Sequence, residues 1–239
     1  MEKQNLSDIL KQNTYPGRGI LLGRSADGAY AIVAYFIMGR SENSRNRIFI
    51  KTDDGIRTEA YNPAKMTDPS LIIYHPVRQV GRELIVTNGD QTDTIRDGLL
   101  AGQTFVQSLN TRTFEPDAPH YTPRISGLLH HDGSFQLSIL KSADGNPVCC
   151  QRYFHTYDHP PMGEGRFIHT YGGDGTPLPS FDGEPSRVAL DAPDAQTLAK
   201  QLWEALHPEN KVSLFVRYIH LGSGQKQDVI QNKHGTHLA

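Results

Sequence analysis

Residues 29–38 read AYAIVAYFIM and decide the fold, because this run of ten residues contains no charged side chain. A strand with one face in water alternates apolar and polar residues, whereas a strand buried on both faces is apolar throughout. The run has the length of a strand and is much too short to cross a bilayer. It therefore predicts a buried strand that other elements cover on both faces.

Turns and short apolar runs on both sides of this strand predict antiparallel sheets. The sequence SADG at 25–28 connects it to the preceding strand, and HDG at 131–133 is a second hairpin signal. The predicted strands are 19–23, 29–38, 47–51, 71–74, 83–87, 125–130, 134–140, 148–155, 166–171 and 211–220, and the predicted helices are 91–110 and 195–206. Few helices and many hairpins favour an α+β fold, with antiparallel sheets covered by helices.

The length of 239 residues predicts a single domain over residues 1–239. Residues 1–14 are predicted as an arm or a short amphipathic helix, and the polar tail at 221–239 as a loose segment. The two cysteines, Cys149 and Cys150, are adjacent and cannot form the usual disulfide geometry. Since no signal peptide or long apolar stretch is present either, we expect a soluble protein of the reducing cytoplasm.

Charge and motifs argue against several classes of function. With 24 Lys and Arg against 26 Asp and Glu, the formal net charge is −2, unlike that of proteins that coat nucleic acid. The sequence has no HExxH or CxxC metal motif, no GxSxG nucleophile motif, no Walker A loop and no GxGxxG motif. We therefore expect no metal and no ATP or NAD cofactor, and neither nucleic acid nor a membrane as partner.

The segment GRSENSRNR at 39–47 directly follows the buried strand and holds three arginines, two serines and two asparagines. Guanidinium groups match the oxygens of phosphates and carboxylates, and Ser and Asn add neutral donors. The segment thus indicates an anion pocket at the end of a strand. A polar surface turn is the alternative, and the spacing alone does not separate the two.

Two further polar segments lie at the junctions of predicted elements. VTNGDQTD at 86–93 connects a strand to a helix, where backbone N–H groups bind anions, although the same residues are ordinary capping material. FEPD at 114–117 and YTPRISG at 121–127 place a carboxylate and an arginine just before a strand. These two groups transfer protons, hold a ligand or belong to a plain loop, and the sequence leaves the three alternatives open.

Taken together and in this order, the segments resemble the archaeal-type IMP cyclohydrolases and their bacterial relatives. The resemblance rests on YPGRGILLGRSADG at 15–28, GRSENSRNR, VTNGDQTD, YTPRISG and HTYGGDG at 169–175. It implies a four-layer αββα fold similar to the N-terminal-nucleophile hydrolases, without autoprocessing. It also implies a cyclohydrolase without cofactors, which closes 5-formamidoimidazole-4-carboxamide ribonucleotide to IMP with loss of water in the last step of de novo purine biosynthesis.

The resemblance implies that the polar segments form the active site. Attack of a carboxamide nitrogen on a formyl carbon requires proton transfer and stabilisation of an oxyanion, which Arg, Glu and Tyr side chains supply. The predicted catalytic residues are Arg40, Tyr61, Glu115 and Arg124, with Tyr61 as a proton donor. The predicted substrate-binding residues are Arg18, Ser41, Arg45, Asn46, Arg47, Asn88, Asp90 and Thr92.

Two other functions stay open at the level of sequence. The first is hydrolysis of an amide on a related purine-like nucleotide, because ring closure with loss of water, run in reverse, is ring hydrolysis. The second is binding of a purine nucleotide without catalysis. The apolar N-terminal arm also allows assembly into a homo-oligomer.

Overall fold

A computed structural model describes residues 2–66, 69 and 71–235. The helices are α1 (Leu6–Gln12), α2 (Glu42–Arg45), α3 (Gln91–Leu100), α4 (Phe105–Leu109) and α5 (Ala195–Ala205), with a 3₁₀ turn at Pro63–Lys65. The strands are β1 (Arg18–Arg24), β2 (Tyr30–Met38), β3 (Arg47–Lys51), β4 (Gly55–Ala60), β5 (Val77–Val80), β6 (Glu83–Thr87), β7 (Arg124–Leu129), β8 (Phe135–Ser142), β9 (Cys150–Tyr157), β10 (Glu164–His169), β11 (Ser186–Ala189), β12 (Lys211–His220) and β13 (Lys226–Asn232). None of the helices described is long and apolar enough to cross a membrane.

The strands form two antiparallel sheets. Sheet A has the order β11-β10-β1-β2-β12-β13, and sheet B has the order β3-β4-β5-β6-β7-β8-β9. The apolar segment that the sequence singles out is β2, which lies between β1 and β12 in sheet A. The predicted α+β class with antiparallel sheets is confirmed.

Three hydrophobic cores hold these elements together. The first lies between the sheets, where Ile20 and Val33 of sheet A are in one cluster with Val86 and Ile125 of sheet B. The second lies between sheet A and the helices α1 and α5, and the third between sheet B and the helices α3 and α4. Alternate side chains of β2 enter different cores, Val33 the first and Ala34 the second, which explains why the strand is apolar on both faces.

The region predicted as one helix over 91–110 forms two helices. Gly102, just beyond α3, has φ +79°, a left-handed conformation that glycine adopts at low cost. Thr104 then begins α4 with a capping box, in which its side chain and that of Gln107 accept from each other's backbone N–H. The single-helix prediction is wrong because apolar residues of both helices face the same core and so mimic one continuous periodicity.

Other local predictions also need correction. Residues 71–74 form turns rather than a strand, since the N–H groups of Ile72 and Ile73 both donate to the carbonyl of Pro69. The tail is not loose over its whole length, because β13 pairs with β12 from end to end. The strands β4, β5 and β11 were not predicted, since their short polar sequences carry no local signal and pairing with neighbours holds them in place.

The sandwich has two open ends. One end collects the starts of β1, β3 and β7 and the ends of β2, β6 and β10. The other end collects the hairpin tips between β5 and β6, between β7 and β8, and between β12 and β13. The polar segments singled out in the sequence lie mainly at the first end.

Candidate active site

Three arginines from both sheets meet at the first end of the sandwich. Arg18 begins β1, Arg47 begins β3 and Arg124 begins β7. Arg47 is 1% exposed and Arg124 is 5% exposed, while Arg18 is partly exposed with a buried Nε. The fold thus concentrates positive charge where little water reaches it. We refer to Arg18, Arg47, Arg124 and the side chains around them as the cluster.

Two of these arginines keep buried donors free. The Nε of Arg47 donates to the carbonyl of Ser44 at 2.8 Å, and Nη2 donates to that of Met38 at 3.4 Å. Its buried Nη1 and the buried Nε of Arg18 have no hydrogen-bond partner among the described residues. Burial, and then the charge of Arg18, lower the pKa of Arg47. Neighbouring guanidinium groups with unsatisfied donors favour the binding of an anion, so this corner suits a phosphate or an oxyanion.

Glu115 supplies a carboxyl group to the same cluster. It is 3% exposed, and burial raises its pKa to about 7, although the charges of Arg18 and Arg124 oppose the shift. A carboxyl group with a pKa near neutral donates and accepts protons readily at neutral pH. The structure therefore brings the two residues predicted as a pair, Glu115 and Arg124, into one electrostatic unit.

The strand–helix junction at 88–91 orients Arg124. The Nη1 of Arg124 donates to Oε1 of Gln91 at 2.7 Å and also lies 2.7 Å from Oδ1 of Asp90. A Cβ on Gly89 would lie 2.6 Å from Nη1 of Arg124 and 3.4 Å from Oε1 of Glu115. The missing side chain at position 89 thus keeps the space beside these two groups.

Four tyrosines that the sequence analysis did not select complete the cluster. The hydroxyl groups of Tyr35 and Tyr74 lie 2.8 Å apart, and the ring of Tyr171 stacks on that of Tyr15 at 5.8 Å. All four are buried and act electrostatically on one or both of the two arginines with free donors. The run at 29–38 carries hydroxyl groups at both Tyr30 and Tyr35, which the sequence does not tell apart, whereas the segment HTYGGDG was an available signal for Tyr171.

Arg40 lies at the rim of the cluster. Its guanidinium lies over the ring of Tyr15, 5.0 Å from the centroid, and pairs with Asp174 at 2.5 Å. Since Asp174 and Tyr171 both belong to the segment 169–175, that segment supplies one member of the cluster and the partner of Arg40. The charge of Arg40 is thus already compensated by a carboxylate.

Comparisons with known proteins identify the family. The family model described as "IMP cyclohydrolase-like protein" matches residues 15–225. The chain belongs to this family. The family match covers the strands that begin with the three arginines, together with Glu115 and the segment 169–175.

Three relatives illustrate the degree of similarity to named IMP cyclohydrolases. The protein of Methanopyrus kandleri is 32% identical over 161 residues, which cover 66% of this chain and 75% of that protein. The protein of Methanococcus maripaludis strain C6 is 34% identical, and that of Halobacterium salinarum strain R1 is 28% identical. These two alignments cover 54% of this chain, and 64% and 63% of the relatives, so the chain spans slightly under two thirds of their length.

Asn88 and Thr92 build the strand–helix junction of this IMP cyclohydrolase-like chain. The Oδ1 of Asn88 accepts from the N–H of Ile125 at 2.9 Å, and its Nδ2 donates to the carbonyl of Pro123 at 2.9 Å. The hydroxyl of Thr92 lies 2.6 Å from that of Thr87. Both side chains are buried and form their hydrogen bonds within the protein, so they position the junction.

Three other predicted binding residues are also engaged within the protein. Asp90 pairs with Arg124, as described above. The Oδ1 of Asn46 accepts from the N–H of Asn62 at 2.7 Å. Ser41 caps α2 from an exposed position. These contacts give Asn46 and Ser41 an evident structural role in the loops around the arginines.

Tyr61 and Arg45 line a separate groove. The ring of Tyr61 stacks on that of His234, with the centroids 4.7 Å apart. Arg45 lines the same groove and donates from Nε to a backbone carbonyl of its own loop at 2.9 Å. The structure thus does not bring Tyr61 into the cluster with Glu115, where Tyr74 is found instead. The end of β4 lies beside the cluster, since Ala60 pairs with Arg47, but the ring of the next residue, Tyr61, packs against His234 in the groove.

His169 supports the backbone of the site. Its Nδ1 lies 2.9 Å from the carbonyl oxygen of Tyr171. Burial lowers its pKa to about 4, so the ring is neutral at neutral pH. Within the described ranges, no three His, Cys, Asp or Glu side chains are arranged to hold a metal ion.

Proposed function

We propose that the chain is an IMP cyclohydrolase, which closes 5-formamidoimidazole-4-carboxamide ribonucleotide to IMP with loss of water. The observation that carries the proposal is the buried carboxyl group of Glu115, with a pKa of about 7, among three arginines in a chain of the IMP cyclohydrolase-like family. The names of the relatives from Methanopyrus kandleri and Methanococcus maripaludis support it. In this proposal the purine nucleotide is the partner, and the reaction ends de novo purine biosynthesis.

The reaction has an addition stage and an elimination stage. In the addition, the carboxamide nitrogen bonds to the formyl carbon and loses a proton, while the carbonyl electron pair moves to the formyl oxygen, which gains a proton. In the elimination, the resulting hydroxyl takes a proton and leaves as water, while the formamido nitrogen loses its proton and forms the C=N bond. Two protons thus move from nitrogen atoms to one oxygen, and the acid–base groups return to their starting state.

Glu115 acts as the proton donor to the formyl oxygen in this scheme. Its raised pKa keeps a large fraction of the carboxyl protonated near neutral pH, as a general acid requires. Arg124, which a network of hydrogen bonds holds beside it, stabilises the charge that develops on that oxygen. Because the attack is intramolecular, most of the remaining task is to hold the two reacting groups together.

The free donors of Arg18 and Arg47 bind the anionic part of the nucleotide in this proposal. Their burial strengthens the pairing with a phosphate, since little water competes for it. Arg40 closes the rim. The other predicted binding residues stay proposals. The contacts described above support a role in shaping the site for Ser41, Asn46, Asn88, Asp90 and Thr92, whereas Arg45 lines the separate groove.

An absorbance assay tests the function directly. Purified protein is mixed with the formamido ribonucleotide in the presence of EDTA, and the product is identified by chromatography and mass. Rapid formation of IMP is the expected result, and it also tests the prediction that no metal cofactor is needed. A mass decrease of one water without the retention time of IMP contradicts the proposal.

Calorimetry with IMP separates the remaining alternatives. Binding of IMP without turnover of the formamido compound favours a nucleotide-binding protein. Hydrolysis of another purine-like nucleotide amide, in a screen of related compounds, favours the alternative hydrolase. Absence of both binding and turnover contradicts every nucleotide function considered for this cluster.

We further propose a four-layer αββα architecture similar to that of the N-terminal-nucleophile hydrolases. The three cores, in the order helices, sheet, sheet, helices, support the four-layer αββα arrangement of the N-terminal-nucleophile hydrolases. We also propose a single domain over residues 1–239 and a cytoplasmic location. The N-terminal arm does not support a homo-oligomer, because Leu6 and Leu10 of α1 are buried within this chain's own core.

A further inference from the structure

A chain of hydrogen bonds leads from the candidate site to Asp117. The hydroxyl groups of Tyr171 and Thr122 lie 2.5 Å apart. The hydroxyl of Thr122 donates to Oδ2 of Asp117, and its backbone N–H donates to Oδ1 at 2.6 Å. The turn that presents Thr122 includes Tyr121 with φ 42°, a conformation that residues with a side chain rarely adopt. The loop therefore holds Thr122 against the carboxylate in a defined geometry.

Asp117, at the end of this series of hydrogen bonds, determines which hydroxyl group donates and which accepts. An ionised carboxylate only accepts hydrogen bonds, so the hydroxyl proton of Thr122 points to Asp117. The oxygen of Thr122 consequently accepts from the hydroxyl of Tyr171. The proton of Tyr171 is thus turned toward Thr122, and its oxygen lone pairs are left for the side of Arg18 and Glu115.

Tyr171 is held rigidly in this orientation. Its side chain is buried, its ring stacks on that of Tyr15, and a Cβ on Gly17 would lie 2.5 Å from the ring. The charged groups that act on its hydroxyl are Arg18, Asp117 and Glu115. Burial raises the pKa of Tyr171 to about 12, so a free tyrosinate is not available at neutral pH.

We propose that Tyr171 accepts the proton of the carboxamide nitrogen during ring closure, with Thr122 and Asp117 as positioning residues that relay the proton onward. The inference rests on the proposed function. As the nitrogen bonds to the formyl carbon, its proton passes to the oxygen of Tyr171, the proton of Tyr171 passes to Thr122, and that of Thr122 passes to Asp117. The carboxylate becomes a carboxyl group, and no tyrosinate forms. The reverse transfer protonates the departing hydroxyl, which leaves as water, and the proton that the formamido nitrogen loses returns to the ionised Glu115.

Substitutions at Thr122 provide a matched test. Thr122→Ser keeps the hydroxyl, whereas Thr122→Val keeps the shape and removes it. We expect Thr122→Val, Asp117→Asn and Tyr171→Phe each to lower kcat about 100-fold, with KM and the Kd of IMP changed less than about threefold. Thr122→Ser should stay within about threefold of the wild-type kcat. A fully active Thr122→Val variant, or a Thr122→Ser variant as slow as Thr122→Val, overturns the relay.

Proton NMR separates failure of the relay from failure of the proposed function. We expect a downfield resonance of the Tyr171 hydroxyl proton in the wild type and in Thr122→Ser that is missing in Thr122→Val and Tyr171→Phe. If the wild type shows the resonance but does not close the ring, the proposed function is wrong. The proton relay through Tyr171 then has no catalytic role, although the hydrogen bonds themselves are confirmed. An active wild type without the resonance overturns the relay alone.

Discussion

The two open ends of the sandwich carry similar residue types in different physical states. At the site end, three arginines and Glu115 are largely removed from water, and buried donors stay unpaired among the described residues. At the opposite end, three hairpin tips line a cleft of about 380 Å³ in which Arg82 is exposed and His130 pairs with Glu83 at 2.5 Å. Most of the charges there are solvated or already compensated, although the Nε of Arg24, at the end of β1, is also buried without a hydrogen-bond partner among the described residues.

This difference shows which property identifies the candidate site. A cleft between hairpin tips forms wherever loops are spaced apart, and exposed charges on its rim cost little free energy. Buried charges without partners destabilise a fold, so the cluster of them around Glu115 points to a ligand that pairs with them. Matched substitutions at the two ends therefore test whether burial identifies the site.

The largest effect is expected from Glu115→Gln. Glutamine keeps the shape of the side chain but cannot donate a proton to the formyl oxygen, so kcat/KM should fall at least about 100-fold. Glu83→Gln at the opposite end is the matched control and should keep kcat/KM within about twofold. Steady-state assays of both variants measure the difference, and equal activities would remove Glu115 from the mechanism.

Substitution of Arg47 should weaken nucleotide binding. Arg47→Met removes the charge and the unpaired buried Nη1, so we expect the Kd of IMP to rise about 30-fold by calorimetry. The free energy of unfolding should change by less than about 2 kcal/mol, because removal of a buried charge offsets the loss of the hydrogen bonds to the carbonyl groups of Ser44 and Met38. Arg82→Met, which changes an exposed arginine, should leave both quantities unchanged. An unaltered Kd in Arg47→Met would contradict the anion site.

The pH dependence should also differ between the ends. The folded-state pKa of Glu115 is about 7, above the value of 4.5 for an unperturbed group. The stability that this group contributes is therefore complete below about pH 4.5 and is lost as the pH rises to about 7, by roughly 3 kcal/mol. Unfolding by denaturant across this range measures the slope.

Substitution separates the contribution of Glu115 from that of other groups. Glu115→Gln should flatten the slope, whereas Glu83→Gln should leave the Glu115 component in place. In the wild type, kcat/KM should fall above about pH 7, where the acid form of Glu115 is depleted. A pH profile that is flat between pH 6 and 9 would speak against Glu115 as the acid.

The smallest effect is expected from Lys226→Ala. Lys226 donates to Gln79 at 3.1 Å in an exposed position at the opposite end. Loss of this contact should change the free energy of unfolding by less than about 0.5 kcal/mol and leave kcat/KM unchanged. Thermal unfolding and the ring-closure assay check both values. A marked loss of activity would show that the two ends are coupled.

Local sequence patterns determined much of the architecture. The run at 29–38 gives β2 almost to the residue, and the segments 47–51, 83–87 and 211–220 coincide with β3, β6 and β12. These strands are buried and rich in apolar or β-branched residues, so their own sequences carry the signal. The order of the polar segments was also sufficient to indicate the family to which the chain belongs.

Only the tertiary structure decided which polar residues form the cluster. From spacing alone, Arg45 and Arg47 are equivalent members of one loop, yet Arg47 is buried in the cluster and Arg45 lines another groove. Likewise, the sequence indicated Tyr61 as a catalytic proton donor, whereas the structure places Tyr35, Tyr74 and Tyr171 in the cluster. Burial and the pKa shift of Glu115 result from contacts between strands far apart in sequence. A residue's neighbours along the chain determine its local conformation, but desolvation depends on the layers that pack over it, and these form only when the two sheets meet.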